Sequence, residues 1–81
     1  MSEEKAKALL QLVKQKARDP LKYAKLIYDP KMKVYRLKLV LLRPMSFRTL
    51  QEIAQAAEGA GFEVQIYAPH ARALRLDLKP R

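Results

Sequence analysis

The hydrophobic pattern divides the chain into six stretches, two with helical spacing and four with strand spacing. In residues 2–18, Leu9, Leu12, Val13 and the stem of Lys16 share one face of a 3.6-residue helix, with Ala6 and Ala17 at its ends. Ser2 stands where an N-cap belongs. Glu3 and Glu4 complement the helix dipole at the start, and Lys14, Lys16 and Arg18 complement it at the end. Asp19-Pro20 stops the helix, because the residue before a proline avoids the α region. Residues 21–28 read as a strand, Asp29-Pro30-Lys31-Met32-Lys33 as a hairpin loop, and Val34 to Leu42 as the longest strand. Arg43-Pro44-Met45 breaks that strand. Ser46 caps a second helix to about Glu58, with Phe47, Leu50, Ile53, Ala54 and Ala57 on one face. Gly59 or Gly61 supplies the left-handed residue that ends it. Phe62 to Ala68 is a third strand, Pro69-His70-Ala71 a turn, and Arg72 to Leu78 a fourth strand.

This order, αββαββ, predicts an α+β fold: a two-layer sandwich with a four-stranded antiparallel sheet and two helices on one face. Residues 1–81 make a single domain, with an internal αββ repeat over 2–42 and 46–79. An offset of 40 aligns Leu10 with Leu50, Val13 with Ile53 and Ala17 with Ala57. An offset of 39 then puts Tyr28 on Tyr67, Arg36 on Arg75, Leu37 on Leu76 and Leu39 on Leu78. Two helix-hairpin units would also look alike from amphipathicity alone.

Alternation sorts the strand side chains. Tyr35, Leu37, Leu39 and Leu41 oppose Val34, Arg36, Lys38 and Val40. Phe62, Val64 and Ile66 oppose Glu63, Gln65 and Tyr67. Leu74, Leu76 and Leu78 oppose Arg75, Asp77 and Lys79. The first strand fits either facing; with Ala24, Leu26 and Tyr28 toward the core, Tyr23, Lys25 and Ile27 lie outside. The helices cover the apolar face. The other face mixes cations, tyrosine rings and an aliphatic floor.

Charge sharpens this picture. The chain of 81 residues carries a formal net charge of +9. Residues 1–48 hold 13 basic and 4 acidic side chains, whereas residues 49–81 hold four of each. A one-sided excess creates a field that attracts polyanions. Cations for phosphates and rings for bases are what single-stranded nucleic acid requires. The candidate contacts are Tyr23, Lys25, Arg36, Lys38, Tyr67 and Arg75 on the outer face, Lys31 and Lys33 in the hairpin loop, and Arg43 and Arg48 flanking the second helix start. Lys25, Arg36, Lys38 and Arg75 would hold phosphates, and Tyr23 and Tyr67 would stack bases. Ser46 and the free N–H groups of its helix offer a further, unspecific phosphate contact. Two other uses of the same face stay open. One is binding of duplex DNA or structured RNA through phosphates only, as a chromatin or ribonucleoprotein component. The other is protein interaction or assembly, including a homodimer paired through faces or edge strands, with cross-strand pairs such as Asp77 with Lys38 or Arg36 merely balancing the sheet.

Catalytic chemistry is poorly represented. Cys is absent, which excludes a disulfide framework, a thiolate metal site and a Cys nucleophile. The lone His70 lies in a turn whose neighbours offer only Arg72, and the carboxylates are scattered. The two glycines flank Ala60, so no phosphate loop exists. The expectation is a non-enzyme with no cofactor and no metal. The start of the chain is acidic and the longest apolar run is Leu39 to Leu42, so a cytoplasmic protein without a membrane partner is expected. Absence of Cys and Asn suits a thermophile.

The Lys-rich first half with interleaved Tyr23, Tyr28 and Tyr35, the αββ units, and Tyr67 on the second hairpin together resemble the small basic DNA-binding proteins of crenarchaeal thermophiles, among them the ThermoDBP-related single-stranded DNA-binding family. The resemblance is one of overall plan and carries no site residue. It implies single-stranded DNA, rather than RNA, in a basic cleft with apolar and aromatic walls.

Overall fold

A computed structural model describes residues 2–81. The elements run α1 (Ser2–Lys16), β1 (Leu21–Asp29), β2 (Val34–Leu41), α2 (Phe47–Gly59), β3 (Phe62–His70) and β4 (Ala73–Pro80). The strands form one antiparallel sheet in the order β1-β2-β4-β3, and α1 and α2 pack on one face of it. The fold is the predicted αββαββ sandwich of the α+β class.

Local chemistry explains the boundaries. In the β1–β2 turn, Asp29 Oδ1 accepts from the backbone N–H groups of Lys31 and Met32 at 2.9 and 3.3 Å, a side-chain mimic of a backbone turn. Ser46 Oγ accepts from Thr49 N–H at 3.1 Å and caps α2. Gly61, at φ 96°, takes the left-handed conformation after α2 and turns the chain into β3. Ser2 falls inside α1 as its first residue instead of before it. The predicted turn at Pro69-His70 is instead the end of β3. A register shift between Tyr67 and His70 accommodates the proline, and β3 is an edge strand, where a missing N–H breaks no ladder.

The core is built from Ala6, Leu9, Val13 and Ala17 of the first helical stretch, Ile53 and Ala57 of α2, and Leu37, Leu39, Phe62, Leu76 and Leu78 of the sheet. Four predicted core contributions turn out differently. Tyr28 lies on the helix face but is 49% exposed, because β1 is an edge strand. Lys16 is exposed and reaches Glu52 across the helix layer at 3.5 Å. Phe47 is 74% exposed, because it sits at the start of α2, turned away from Ile53 and Ala57. Ile66 points to the helix face yet is 46% exposed, because it lies on the outermost strand.

The central β2–β4 ladder pairs Leu37 with Leu76, which are also repeat equivalents. Arg36 opposite Asp77 and Lys38 opposite Arg75 are then mates about the same point. The two αββ halves are thus related by a pseudo-two-fold axis through the Leu37–Leu76 pair. The outer strands correct the sequence alignment. Ile27 pairs with Arg36 and Tyr67 pairs with Arg75, so the structural equivalent of Tyr67 is Ile27 and not Tyr28. The offset of 40 persists through the first strand of each unit, and the second hairpin is one residue shorter. One residue reverses the facing of a strand side chain. Tyr28 therefore lies on the helix face and Tyr67 on the outer face.

Candidate nucleic-acid interface

Alternation and register place six of the ten candidate residues on the outer face. Lys25, Lys38 and Arg75 stand directly opposite one another on β1, β2 and β4, and Tyr67 on β3 completes the row. At the usual strand spacing this row spans about 14 Å. The Arg75 guanidinium lies 4.4 Å from the centre of the Tyr67 ring. It covers one ring face, and the side chain as a whole is still 46% exposed. Tyr23, 51% exposed, stands on β1 at the opposite edge, across from Val40.

The next row is Ile27, Arg36, Asp77 and Gln65. Here the charges neutralise one another. Arg36 lies 3.0 Å from Asp29 and 3.9 Å from Asp77, and Arg75 Nε lies 3.0 Å from Asp77 Oδ1. Arg36 Nε, Arg75 Nε and Asp77 Oδ1 are shielded from solvent without an aligned hydrogen bond, so the cluster is held by charge more than by directed bonding. The four candidate cations on the outer face thus divide. Arg36 and Arg75 are ion-paired. Among the described residues, Lys25 and Lys38 have no carboxylate within 4 Å.

Two depressions flank the cationic row. One, of about 360 Å³, has Val34, Met32, Arg36, Gln65, Tyr67 and Lys79 among its walls. The other, of about 290 Å³, is bounded by Lys38, Val40, Pro69, His70, Ala73 and Arg75. Lys79 and Gln65 were legible from alternation as outer-face residues but did not enter the candidate set. Met32 had no signal beyond its place in the loop.

The remaining four candidates are not gathered into the row. Lys31 and Lys33 ride on the β1–β2 turn at the end of the sheet where Met32 closes the first depression. Arg43 follows β2 at the opposite end and pairs with Asp19 at 2.9 Å, both well exposed. Arg48 is exposed in the first turn of α2, in the helix layer. Ser46 is occupied by the Thr49 N–H and hydroxyl.

Behind the sheet, the Tyr28 and Tyr35 rings meet at 4.8 Å and Tyr35 meets Phe62 edge-on at 6.1 Å. Desolvation of the half-buried Tyr35 ring, with the Glu3 carboxylate and Tyr28 beside it, pushes its phenol above the ordinary value. That hydroxyl stays protonated and is a donor at neutral pH. Among the described residues no helix is long and apolar enough to cross a membrane, and no group of three or more His, Cys, Asp or Glu could hold a metal ion. Compared with known proteins, the chain matches no family model, no curated sequence and no solved structure.

Proposed function

We propose that this protein binds single-stranded nucleic acid on the outer face of its sheet, without catalysis. The observation that carries the reading is the row Lys25–Lys38–Arg75–Tyr67. Like charges directly opposite one another weaken a sheet. In this row two lysines with no carboxylate partner among the described residues stand beside an arginine, and a polyanion lying along it removes the repulsion. Tyr67 at the end of the row offers its uncovered ring face to a base, with Arg75 fixing the ring from the other side. Tyr23 gives a second ring at the far edge, so a strand crossing the sheet meets aromatic surface on both sides of the cations. Arg36 contributes less than the sequence led one to expect, because Asp29 and Asp77 already satisfy it.

Anisotropy of labelled single-stranded DNA, single-stranded RNA and duplex DNA of equal length, at low and near-physiological salt, tests this. Single strands should bind more tightly than duplex, and the preference should survive the higher salt. Tyr67→Ala should weaken single-strand binding by about 5- to 150-fold, the range of one lost base–aromatic stack, and leave duplex binding unchanged. Lys25→Glu with Lys38→Glu should weaken every form and flatten the salt dependence, by about 1.4 in logarithmic slope for single strands. Equal binding to all three, indifferent to Tyr67, would leave only a phosphate binder. No binding at low salt would end the nucleic-acid reading.

A further inference from the structure

The two edges of the sheet are built differently. β1 carries Lys22 and Lys25 and has a bulge between Leu21 and Tyr23. Charges and bulges are the usual protection of an exposed edge. β3 has neither over Val64-Gln65-Ile66-Tyr67-Ala68, an uncharged stretch rich in strand-forming residues, and its irregularity comes only beyond Tyr67. On the helix side of that edge, Ile66 is 46% exposed and Phe47 is 74% exposed.

Phe47 belongs to the same patch by helix geometry. Glu52 marks the side of α2 that faces α1, since it bridges to Lys16. At about 100° per residue, Phe47 lies roughly 140° around the helix from Glu52, on the side away from α1. α1 packs over β1 and α2 over β3, so that side overhangs the open β3 edge. The reversal at Gly61 also sets the start of α2 beside the far half of β3, because its thirteen residues span about 18 Å, or five to six strand positions.

We infer that β3 pairs antiparallel with β3 of a second copy of this chain, joining two sheets into one of eight strands. Charge selects the occupant and the edge. The excess of basic over acidic residues lies wholly in residues 1–48, and residues 49–81 are neutral. Residues 47–81, which form α2, β3 and β4, hold five basic and four acidic side chains, so meeting through β3 joins the nearly neutral halves and keeps the cationic halves farthest apart. A two-fold axis normal to the sheet keeps helix-face residues opposite helix-face residues. Centred on Ile66, the ladder sets Ile66 against its mate, Val64 against Ala68 and Gln65 against Tyr67, and it puts Glu63 opposite Pro69 and not opposite another Glu63. Ile66 and Phe47 are covered on one face. On the other, the two rows ending in Tyr67 meet, and the outer surface becomes continuous across both copies.

Sedimentation equilibrium of nucleic-acid-free protein tests the pairing, and the wild type should dimerise. Ile66→Lys places a charge at the centre of the ladder and should give a monomer with unchanged circular dichroism that still melts cooperatively, at a temperature independent of protein concentration. Because the chain has no cysteine, Ile66→Cys reports the register: mild oxidation should yield a covalent dimer that retains the fold. A wild type still monomeric at about 1 mM, where even a weak specific pair assembles, overturns the proposal. So does a dimer that persists in Ile66→Lys, or one that forms only when nucleic acid is added. If Ile66→Lys fails to fold, the wild-type mass and the Ile66→Cys cross-link decide the question.

Discussion

The two αββ halves share a backbone plan and almost nothing of their surfaces. About the axis through Leu37 and Leu76, Val13 corresponds to Ile53, Ala17 to Ala57 and Leu39 to Leu78, and all of these are buried. Their outward-facing mates differ in kind. Lys38 in the first half answers to Asp77 in the second, Lys25 to Gln65, and Ile27 to Tyr67. The first half, residues 2–42, holds eleven basic against four acidic side chains and a lysine-guarded edge. The second half is neutral, with a bare edge. The fold constrains only the face that meets the helices, where a lost methylene leaves a cavity. The solvent face is free to diverge, and here it parts into a lysine-rich half and a neutral one.

The largest effect should come from the shared core. Leu37→Ala and Leu76→Ala should each cost about 2–5 kcal/mol in denaturant unfolding, and by similar amounts, since each side chain is fully shielded at the same place in its half. A much smaller loss at Leu76 would break the equivalence of the halves. Next is the charge contrast at the mated pair Lys38 and Asp77. Asp77→Asn should lower stability by about 1–3 kcal/mol, because Arg36 and Arg75 lose their shared counter-charge. The same change should tighten single-strand binding and steepen its salt dependence, making the second half resemble the first. Unchanged binding would mean the two arginines do not contact the ligand. Ser46→Ala should cost about 1 kcal/mol in a thermal melt, a loss confined to the cap that opens the second half.

The smallest effect is alkaline. Folding holds the Tyr35 phenol above its ordinary value of 10.0, so the folded state binds that proton more tightly than the unfolded chain. The stability this contributes is complete below pH 10 and is lost as pH rises through the folded value. Tyr35→Phe should remove this part of the alkaline destabilisation while the lysine contributions remain. Identical alkaline melting of the two proteins would contradict it.

Most of the architecture was legible in the chain. Period-two alternation assigned Arg36, Lys38, Arg75 and Tyr67 to one face and left the first strand ambiguous; the registers put those four there and add Lys25. What was not legible was which cations are already spoken for. Arg36 and Lys38 look alike in sequence, two positions apart on one strand. Arg36 finds Asp29 and Asp77 because those residues arrive from β1 and β4, and Lys38 faces Lys25 and Arg75 instead. The same applies to Ile66. Its alternation is that of a core residue, and its exposure follows only from β3 being last in the strand order.

The number, type and facing of the elements, their caps and their amphipathic faces were settled locally, by side-chain period, by Ser46, by Gly61 and by the prolines. Those signals act within a few residues and need no partner. Strand order, the pseudo-two-fold axis, the one-residue difference that parts Tyr28 from Tyr67, the neutralisation around Asp77 and the bare β3 edge were decided by the tertiary structure. Each depends on which distant strand lies alongside. That choice is made by burying both hairpins' leucines under both helices at once, a collective packing energy that no single stretch of the chain encodes.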